Sequence, residues 1–97
     1  MRIAASNHLQ VLAAHGRSEE LGQHLSAIVH TLRDTPGCLA YALQRSPSDS
    51  HLWRVRGDWD SSQSMQTHFA LPATQGFVDL LGSCLVARLD FASQPAD

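Results

Sequence analysis

Four side chains in this sequence stand out for the chemistry they could perform: His68, Tyr41, Asn7 and Trp59. An imidazole titrates near neutrality and can accept a proton. A tyrosine hydroxyl can donate a hydrogen bond, and an asparagine amide can anchor a polar group. The indole of Trp59 offers an apolar wall against which an aromatic molecule can pack. Each residue also has a structural interpretation, as a ring that seals the core or a polar group bonded to backbone, and the sequence leaves both open.

The composition excludes several classes of function. The chain has 97 residues and a formal net charge of −2, and its seven basic residues are all arginines. It carries no basic stripe, which disfavours nucleic-acid binding, and no apolar run approaches the ~20 residues of a membrane span. The N-terminal residues lack the apolar stretch of a signal peptide, so we expect a cytoplasmic protein.

The cysteines and histidines show no spacing that is typical of a metal site. Cys38 and Cys84 are far apart in sequence, and we expect both to be reduced thiols that pack as small hydrophobic residues. No two histidines stand in the H-x-x-x-H arrangement that places two ligands on one helical face. The sequence therefore predicts no metal site.

Hydrophobic periodicity predicts the elements that position these residues. Alternating apolar residues predict four strands, over residues 8–14, 38–44, 52–59 and 85–91. Apolar residues at helical spacing predict a helix that begins near Ser18 and ends before Pro36. A cap at residues 60–62 predicts a short helix that carries His68, and Pro72 can open a further helical turn. The buried side of that last helix is predicted to consist of Phe77, Val78, Leu80 and Leu81.

The order of these elements is β-α-β-β-α-β, which is the ferredoxin-like split motif. It predicts an α+β fold with a four-stranded antiparallel sheet and helices on one face. We expect one domain over residues 1–97, with a loose tail from residue 92. The other face of the sheet must bury itself against something, which makes a dimer a natural expectation for so small a chain.

One composite run carries a family resemblance. The segment Thr35-Pro36-Gly37-Cys38-Leu39-Ala40-Tyr41 is followed by a hairpin that closes on Trp59, by His68 on a short helix, and by Leu71-Pro72. In this order the chain resembles the antibiotic biosynthesis monooxygenase (ABM) domains over nearly its whole length. The resemblance implies a homodimer in which two sheets form a dimeric α+β barrel.

The resemblance also implies a function. ABM domains similar to this chain use no metal and often no organic cofactor, and they oxidise a phenol or quinol with dioxygen. Such a site must hold an electron-rich ring in a dry pocket and accept its proton. By position in the family pattern, the catalytic residues would be His68 as base or donor and Trp59 as a wall. Asn7, Tyr41, Trp53 and Phe77 would then bind a small aromatic substrate.

Three departures from the family pattern limit what the resemblance implies. Gly57 stands where many ABM chains carry a glutamate, and Val55 stands where polyketide-tailoring members carry an asparagine. The first strand, with Asn7, is similar to that of a haem-degrading branch, but Val78 occupies the place of that branch's haem ligand, so no haem is implied.

Two other functions remain open on the same scaffold. One is an isomerase of a small phosphorylated sugar derivative, for which Arg45 or Arg88 would have to supply positive charge. The other is a protein that binds a small apolar ligand and performs no chemistry. Gly57, where an acid is usual, points towards this second alternative.

Overall fold

The computed structural model describes residues 3–95. They form four strands, three α-helices and one 3₁₀ turn, in the order β1 (Ala5–Ala13), α1 (Ser18–Leu32), β2 (Cys38–Arg45), β3 (Leu52–Trp59), α2 (Ser62–His68), α3 (Pro72–Asp79), the 3₁₀ turn Leu80–Gly82, and β4 (Val86–Pro95). The predicted ferredoxin-like α+β fold is confirmed. No helix within the described range is long and apolar enough to cross a membrane.

The sheet has the strand order β2-β3-β1-β4, and every neighbouring pair is antiparallel. Successive side chains of a strand point to opposite faces, and in β1 and β3 every buried residue except Ser6 is odd-numbered. The helices cover that face. The opposite face carries small and polar side chains from all four strands: Gln10, Ala40, Ala42, Gln44, Arg54, Arg56, Arg88 and Ala92 are exposed there.

Helix α1 begins where the sequence predicts and packs its apolar stripe into the core. Glu19 and Glu20 lie in its first turn, where the helix dipole favours acids. Leu21, Leu25, Val29 and Leu32 are buried. The chain then turns into β2 through Gly37, whose φ of 84° lies in the left-handed region that glycine tolerates best.

Four expectations about this architecture are wrong. β1 begins at Ala5 rather than residue 8, which brings Asn7 into the sheet. Residues 92–95 are not loose, because they continue β4 and pair with residues 5–8 of β1; the rest of the expected tail, 96–97, lies outside the described residues. Val78 and Leu81 are half exposed rather than buried, and Cys84 is exposed, while Cys38 is partly buried.

Candidate functional site

The site is built on a row of three residues that crosses three adjacent strands. In the antiparallel register, Gly57 of β3 lies opposite Asn7 of β1 on one side and opposite Tyr41 of β2 on the other. All three belong to the face that the helices cover, and the Asn7 and Tyr41 side chains are only 3% and 2% exposed. The register therefore places an amide and a phenol side by side beneath the helices.

A continuous chain of hydrogen bonds runs through this row. The indole Nε1 of Trp59 lies 2.7 Å from Asn7 Oδ1, and Asn7 Nδ2 lies 3.0 Å from the hydroxyl of Tyr41. That hydroxyl lies 3.1 Å from Nε2 of His68. The other ring nitrogen of His68, Nδ1, lies 2.6 Å from the backbone carbonyl oxygen of Met65.

The two ends of this chain fix the orientation of the Asn7 amide and the hydrogen on His68 Nδ1. The indole N–H of Trp59 can only donate, and the carbonyl of Met65 can only accept. His68 therefore carries a hydrogen on Nδ1, and in the neutral ring Nε2 accepts from the Tyr41 hydroxyl. Tyr41 in turn accepts from Asn7, whose oxygen faces Trp59. Each polar group is thus matched to its neighbour in one arrangement, with His68 neutral.

Burial sets the protonation of the two titratable members. It lowers the pKa of His68 below its usual value, and the bond to the Met65 carbonyl opposes this only in part. Burial also raises the pKa of Tyr41 to about 12, although the hydrogen bond from Asn7 acts in the opposite direction. Both side chains are consequently neutral near pH 7, which agrees with the direction of the hydrogen bonds.

Gly57 gives the row the space that it needs. A Cβ atom built on Gly57 would lie 2.5 Å from Asn7 Oδ1 and 2.6 Å from Tyr41 Cε2, both far inside van der Waals contact. Asn7 and Tyr41 therefore fill the space that a side chain at position 57 would occupy. The departure from the family pattern at Gly57 therefore leaves no unfilled gap.

Helix α2 and the first turn of α3 hold His68 in place. Ser61 caps the helix by accepting a hydrogen bond from the backbone N–H of Ser64. At the other end, the hydroxyl of Thr74 donates to the backbone carbonyl of His68 at 2.6 Å. The imidazole packs against the rings of Trp59 and Phe69, with centroids 4.3 and 4.6 Å away. Its side chain is fully buried.

A cavity of about 310 Å³ lies next to this network, between the sheet, the end of α2 and α3. It is lined by Asn7, Leu9, Tyr41, Phe69, Thr74, Gln75, Phe77, Val78, Leu89 and Phe91. The lining is largely apolar and includes four aromatic rings, and it contains no charged side chain. A volume of this size is at the lower end for small-molecule sites, so it suits a molecule of one or two rings.

The structure brings five of the six predicted site residues together. Asn7, Tyr41 and Phe77 line the cavity, whereas Trp59 and His68 lie behind them and reach it only through the hydrogen-bond chain. The sixth residue, Trp53, lies apart. It shares a face of β3 with Trp59 but stands six residues away, roughly 20 Å along the strand.

Trp53 belongs to a separate structural contact at the start of α1. Its indole N–H donates to Ser18 Oγ at 3.1 Å, and the guanidinium of Arg45 stacks over its ring at 4.9 Å. A Cβ on Gly22 would collide with the same ring. The structure therefore offers no place for Trp53 in the cavity wall.

The sequence pattern does not assign the other lining residues to the site. Phe69 directly follows α2 and Phe91 lies on β4, and their rings meet at a centroid distance of 5.3 Å beside the cavity. Phe91 is 56% exposed. This exposure follows from the structure, so the sequence pattern alone does not indicate that Phe91 lines a cavity.

Comparison with known proteins agrees with this architecture. The family model described as antibiotic biosynthesis monooxygenase matches residues 4–80. The chain belongs to the ABM family. The matched range contains the whole hydrogen-bond chain of the ABM domain, from Asn7 to His68, and also Phe77. Leu89 and Phe91, which complete the cavity, lie outside it.

Solved structures share the fold of this ABM domain over nearly its full length. A protein from Deinococcus radiodurans assigned as an antibiotic biosynthesis monooxygenase has a TM-score of 0.84 and 28% identity, covering 96% of this chain and 92% of its own. PA3566 from Pseudomonas aeruginosa has a TM-score of 0.83 and 24% identity, covering 100% of this chain and 97% of its own. Rv0793 from Mycobacterium tuberculosis has a TM-score of 0.81 and 18% identity, covering 96% and 95%. No curated protein matches the chain.

Proposed function

We propose that this ABM domain is a cofactor-independent monooxygenase that oxidises a small phenolic or quinol-type substrate with dioxygen. The observation that carries the proposal is the contact between the cavity and the buried imidazole: Tyr41 lines the cavity, and its hydroxyl lies 3.1 Å from His68 Nε2. A ring hydroxyl in the cavity then has a route by which its proton can leave.

The lining of the cavity favours an uncharged aromatic molecule. Phe69, Phe77 and Phe91 supply rings against which a planar substrate packs. No guanidinium stands among the lining residues. Arg45 bonds to Glu19 and Ser18 instead, and Arg88 pairs with Asp90 on the open face of the sheet. We therefore favour the oxygenase over an isomerase of phosphorylated sugars, which needs positive charge at its site.

His68 acts as the base through Tyr41 rather than by touching the substrate. In the proposed step the substrate O–H proton moves to Tyr41 Oη while the Tyr41 proton moves to His68 Nε2. His68 becomes an imidazolium that still donates from Nδ1 to the Met65 carbonyl. Tyr41 then accepts from both Asn7 and His68 and donates to the substrate phenolate, so every hydrogen bond of the network survives the transfer.

The deprotonated ring supplies the electrons for the reaction. A phenolate gives one electron to dioxygen more readily than a phenol does, and the resulting radical pair recombines to form a carbon–oxygen bond. One oxygen atom stays on the ring and the other leaves as water. The substrate provides all four electrons, two by insertion of oxygen and two by its oxidation to the quinone level, so no external reductant is needed.

We further propose that the active form is a homodimer in the cytoplasm. The open face of the sheet supports the dimer, because alanines at 40, 42 and 92 let another sheet approach closely. The Asp58 carboxylate on this face is already paired within its own chain. Its Oδ1 accepts from Arg56 Nε at 2.8 Å and from Ser6 Oγ at 2.9 Å. Size-exclusion chromatography with light scattering at micromolar concentration tests the assembly, and a monomer would contradict it.

Oxygen uptake tests the function. Metal-free protein is assayed against a panel of hydroquinones and anthrone-like phenols, with Tyr41→Phe and Trp53→Phe beside the wild type. We expect protein-dependent uptake that falls at least about 100-fold in Tyr41→Phe, the scale of lost proton-transfer catalysis, and stays near the wild-type rate in Trp53→Phe. A folded wild type with no uptake above the autoxidation blank would overturn the proposal and favour a ligand-binding role.

A further inference from the structure

The fixed direction of the hydrogen-bond chain decides what the cavity offers to a ligand. Tyr41 donates to His68 and accepts from Asn7, which leaves one acceptor position on its oxygen. Asn7 Nδ2 donates one of its two hydrogens to Tyr41, which leaves the other. Of the linked side chains, these two are the ones that line the cavity. A ligand hydroxyl matches both positions, because it can donate to Tyr41 and accept from Asn7.

A ligand oxygen that carries no hydrogen does not match both of these positions in the cavity. A ketone or quinone carbonyl can accept from Asn7, but it faces the lone pair of Tyr41. To relieve that repulsion, Tyr41 must turn its hydrogen to the ligand, and His68 Nε2 must then carry a hydrogen of its own. Moving the hydrogen over from Nδ1 would set a bare nitrogen 2.6 Å from the carbonyl oxygen of Met65. The His68 imidazole can donate to both Tyr41 and the Met65 carbonyl only by gaining a proton.

We propose that the cavity discriminates between these two kinds of ligand: an oxygen that donates a hydrogen bond binds without change, and one that only accepts binds together with one proton, taken up at His68 Nε2. This inference rests on the proposed function for the class of ligand, a small uncharged aromatic molecule. It adds that the reduced, hydroxyl-bearing form and the oxidised, carbonyl-bearing form differ in how their binding depends on pH.

The surroundings of His68 leave the ligand as the partner that can change its protonation. The imidazole contacts the rings of Trp59 and Phe69 and the hydroxyl of Tyr41. Tyr41, on β2, is the titratable side chain in that contact, and the thiol of Cys38 on the same strand acts on Tyr41. From β1 and α3 come the uncharged Asn7 and Thr74. Arg33 Nε donates to the backbone carbonyl of Tyr41 at 2.9 Å. Within residues 3–95, neither the Tyr41 hydroxyl nor the His68 imidazole is hydrogen-bonded to a carboxylate or a guanidinium.

The consequence for the reaction is a preference for substrate over product. A quinol enters as a hydrogen-bond donor and needs no proton from solvent. A product with only carbonyl oxygens requires the protonated site, and at a pH above the pKa of His68 it therefore binds more weakly as the pH rises. Near and above neutral pH, the network would favour release of the oxidised product and rebinding of reduced substrate.

Calorimetry under nitrogen tests the inference with two probes of equal size and no redox chemistry, 4-ethylphenol and acetophenone. Titrations at pH 8 in phosphate and in Tris give the number of protons exchanged on binding. We expect close to one proton taken up per acetophenone and none for 4-ethylphenol. The acetophenone affinity should fall about tenfold per pH unit between pH 7.5 and 9, and the affinity for 4-ethylphenol should stay constant.

Two variants locate the effect. His68→Gln can donate from an uncharged amide at the place of Nε2, so proton uptake with acetophenone should vanish while binding remains. Tyr41→Phe should remove the difference in pH dependence between the probes. Acetophenone binding without proton uptake, equal uptake for both probes, or no binding of either probe would overturn the inference.

These outcomes are separable from those of the oxygen-uptake assay. Proton-linked acetophenone binding in a protein that consumes no oxygen would contradict the proposed oxygenase function and support the inference. Oxygen uptake in a protein that binds acetophenone without exchanging a proton would support the oxygenase and overturn the inference.

Discussion

The hydroxyl of Tyr41 lies 3.1 Å from Nε2 of His68 and connects the cavity wall to a fully buried imidazole. Neither residue could fill this role alone, because His68 does not reach the cavity and Tyr41, with a pKa of about 12, is too weak an acid to be ionised near neutral pH. The pair combines a contact with the ligand and a site for its proton.

The space around Gly57 yields a prediction about stability. A Cβ at this position would overlap Asn7 and Tyr41, so Gly57→Ala should lower the free energy of unfolding by about 1–3 kcal/mol, the usual scale for overpacking. Gly82→Ala is the matched control, because its Cβ would meet nothing within 4 Å, and it should change the free energy by less than about 0.5 kcal/mol. Urea unfolding measures both, and equal effects of the two substitutions would contradict the packing described at Gly57.

The burial of His68 yields a prediction about pH. Its folded-state pKa lies below its unfolded value of about 6.5, so the unfolded chain binds more protons as the pH falls through that value. Below pH 6.5, His68 should therefore lower the free energy of unfolding by at most about 1.4 kcal/mol per pH unit. Above about pH 6.5 it should have no such effect. Urea unfolding from pH 8 to pH 5 should show a smaller loss in His68→Gln than in the wild type. Parallel curves for the two proteins would show that His68 titrates alike in the folded and unfolded states.

The uncharged lining of the cavity yields a prediction about ligands. A carboxylate in the cavity would be desolvated without a cationic partner. We expect 4-hydroxybenzoate to bind at least about tenfold more weakly than 4-methylphenol, a difference of about 1.4 kcal/mol. The substitution Gln75→Arg places a guanidinium at the lining and should narrow this ratio, whereas Gln63→Arg, on α2 and outside the lining, should not. Competition binding compares the proteins, and equal affinity of the wild type for both ligands would refute the prediction.

The sequence predicts the bounds of the helices and strands better than it predicts which of their residues meet in space. The strand that ends at Trp59 has the predicted bounds, because its alternation is regular and turn residues precede it. Alternation also places Trp53 and Trp59 on one face, but it carries no information on distance along that face, and Trp53 therefore lies outside the site. Sharing a face is a weaker condition than sharing a cavity.

The row of Asn7, Gly57 and Tyr41 depends on how three strands align. Two of them, β1 and β3, are separated by a helix and another strand, and their register follows from packing of the whole sheet rather than from any local turn. Gly57 could be recognised in the sequence as a departure from the family pattern. That it makes room for an amide and a phenol follows only from the three-dimensional pairing.

The tautomer of His68 tests the central claim, the fixed direction of the hydrogen-bond chain from Trp59 to the Met65 carbonyl. Proton-coupled ¹⁵N NMR of histidine-labelled protein at pH 7.5, with His68→Gln to assign the signal, shows which ring nitrogen carries the hydrogen. We predict a neutral imidazole with its hydrogen on Nδ1 in the ligand-free protein. A hydrogen on Nε2, alone or in an imidazolium at this pH, would contradict the direction of the chain and with it the proton route built on Tyr41.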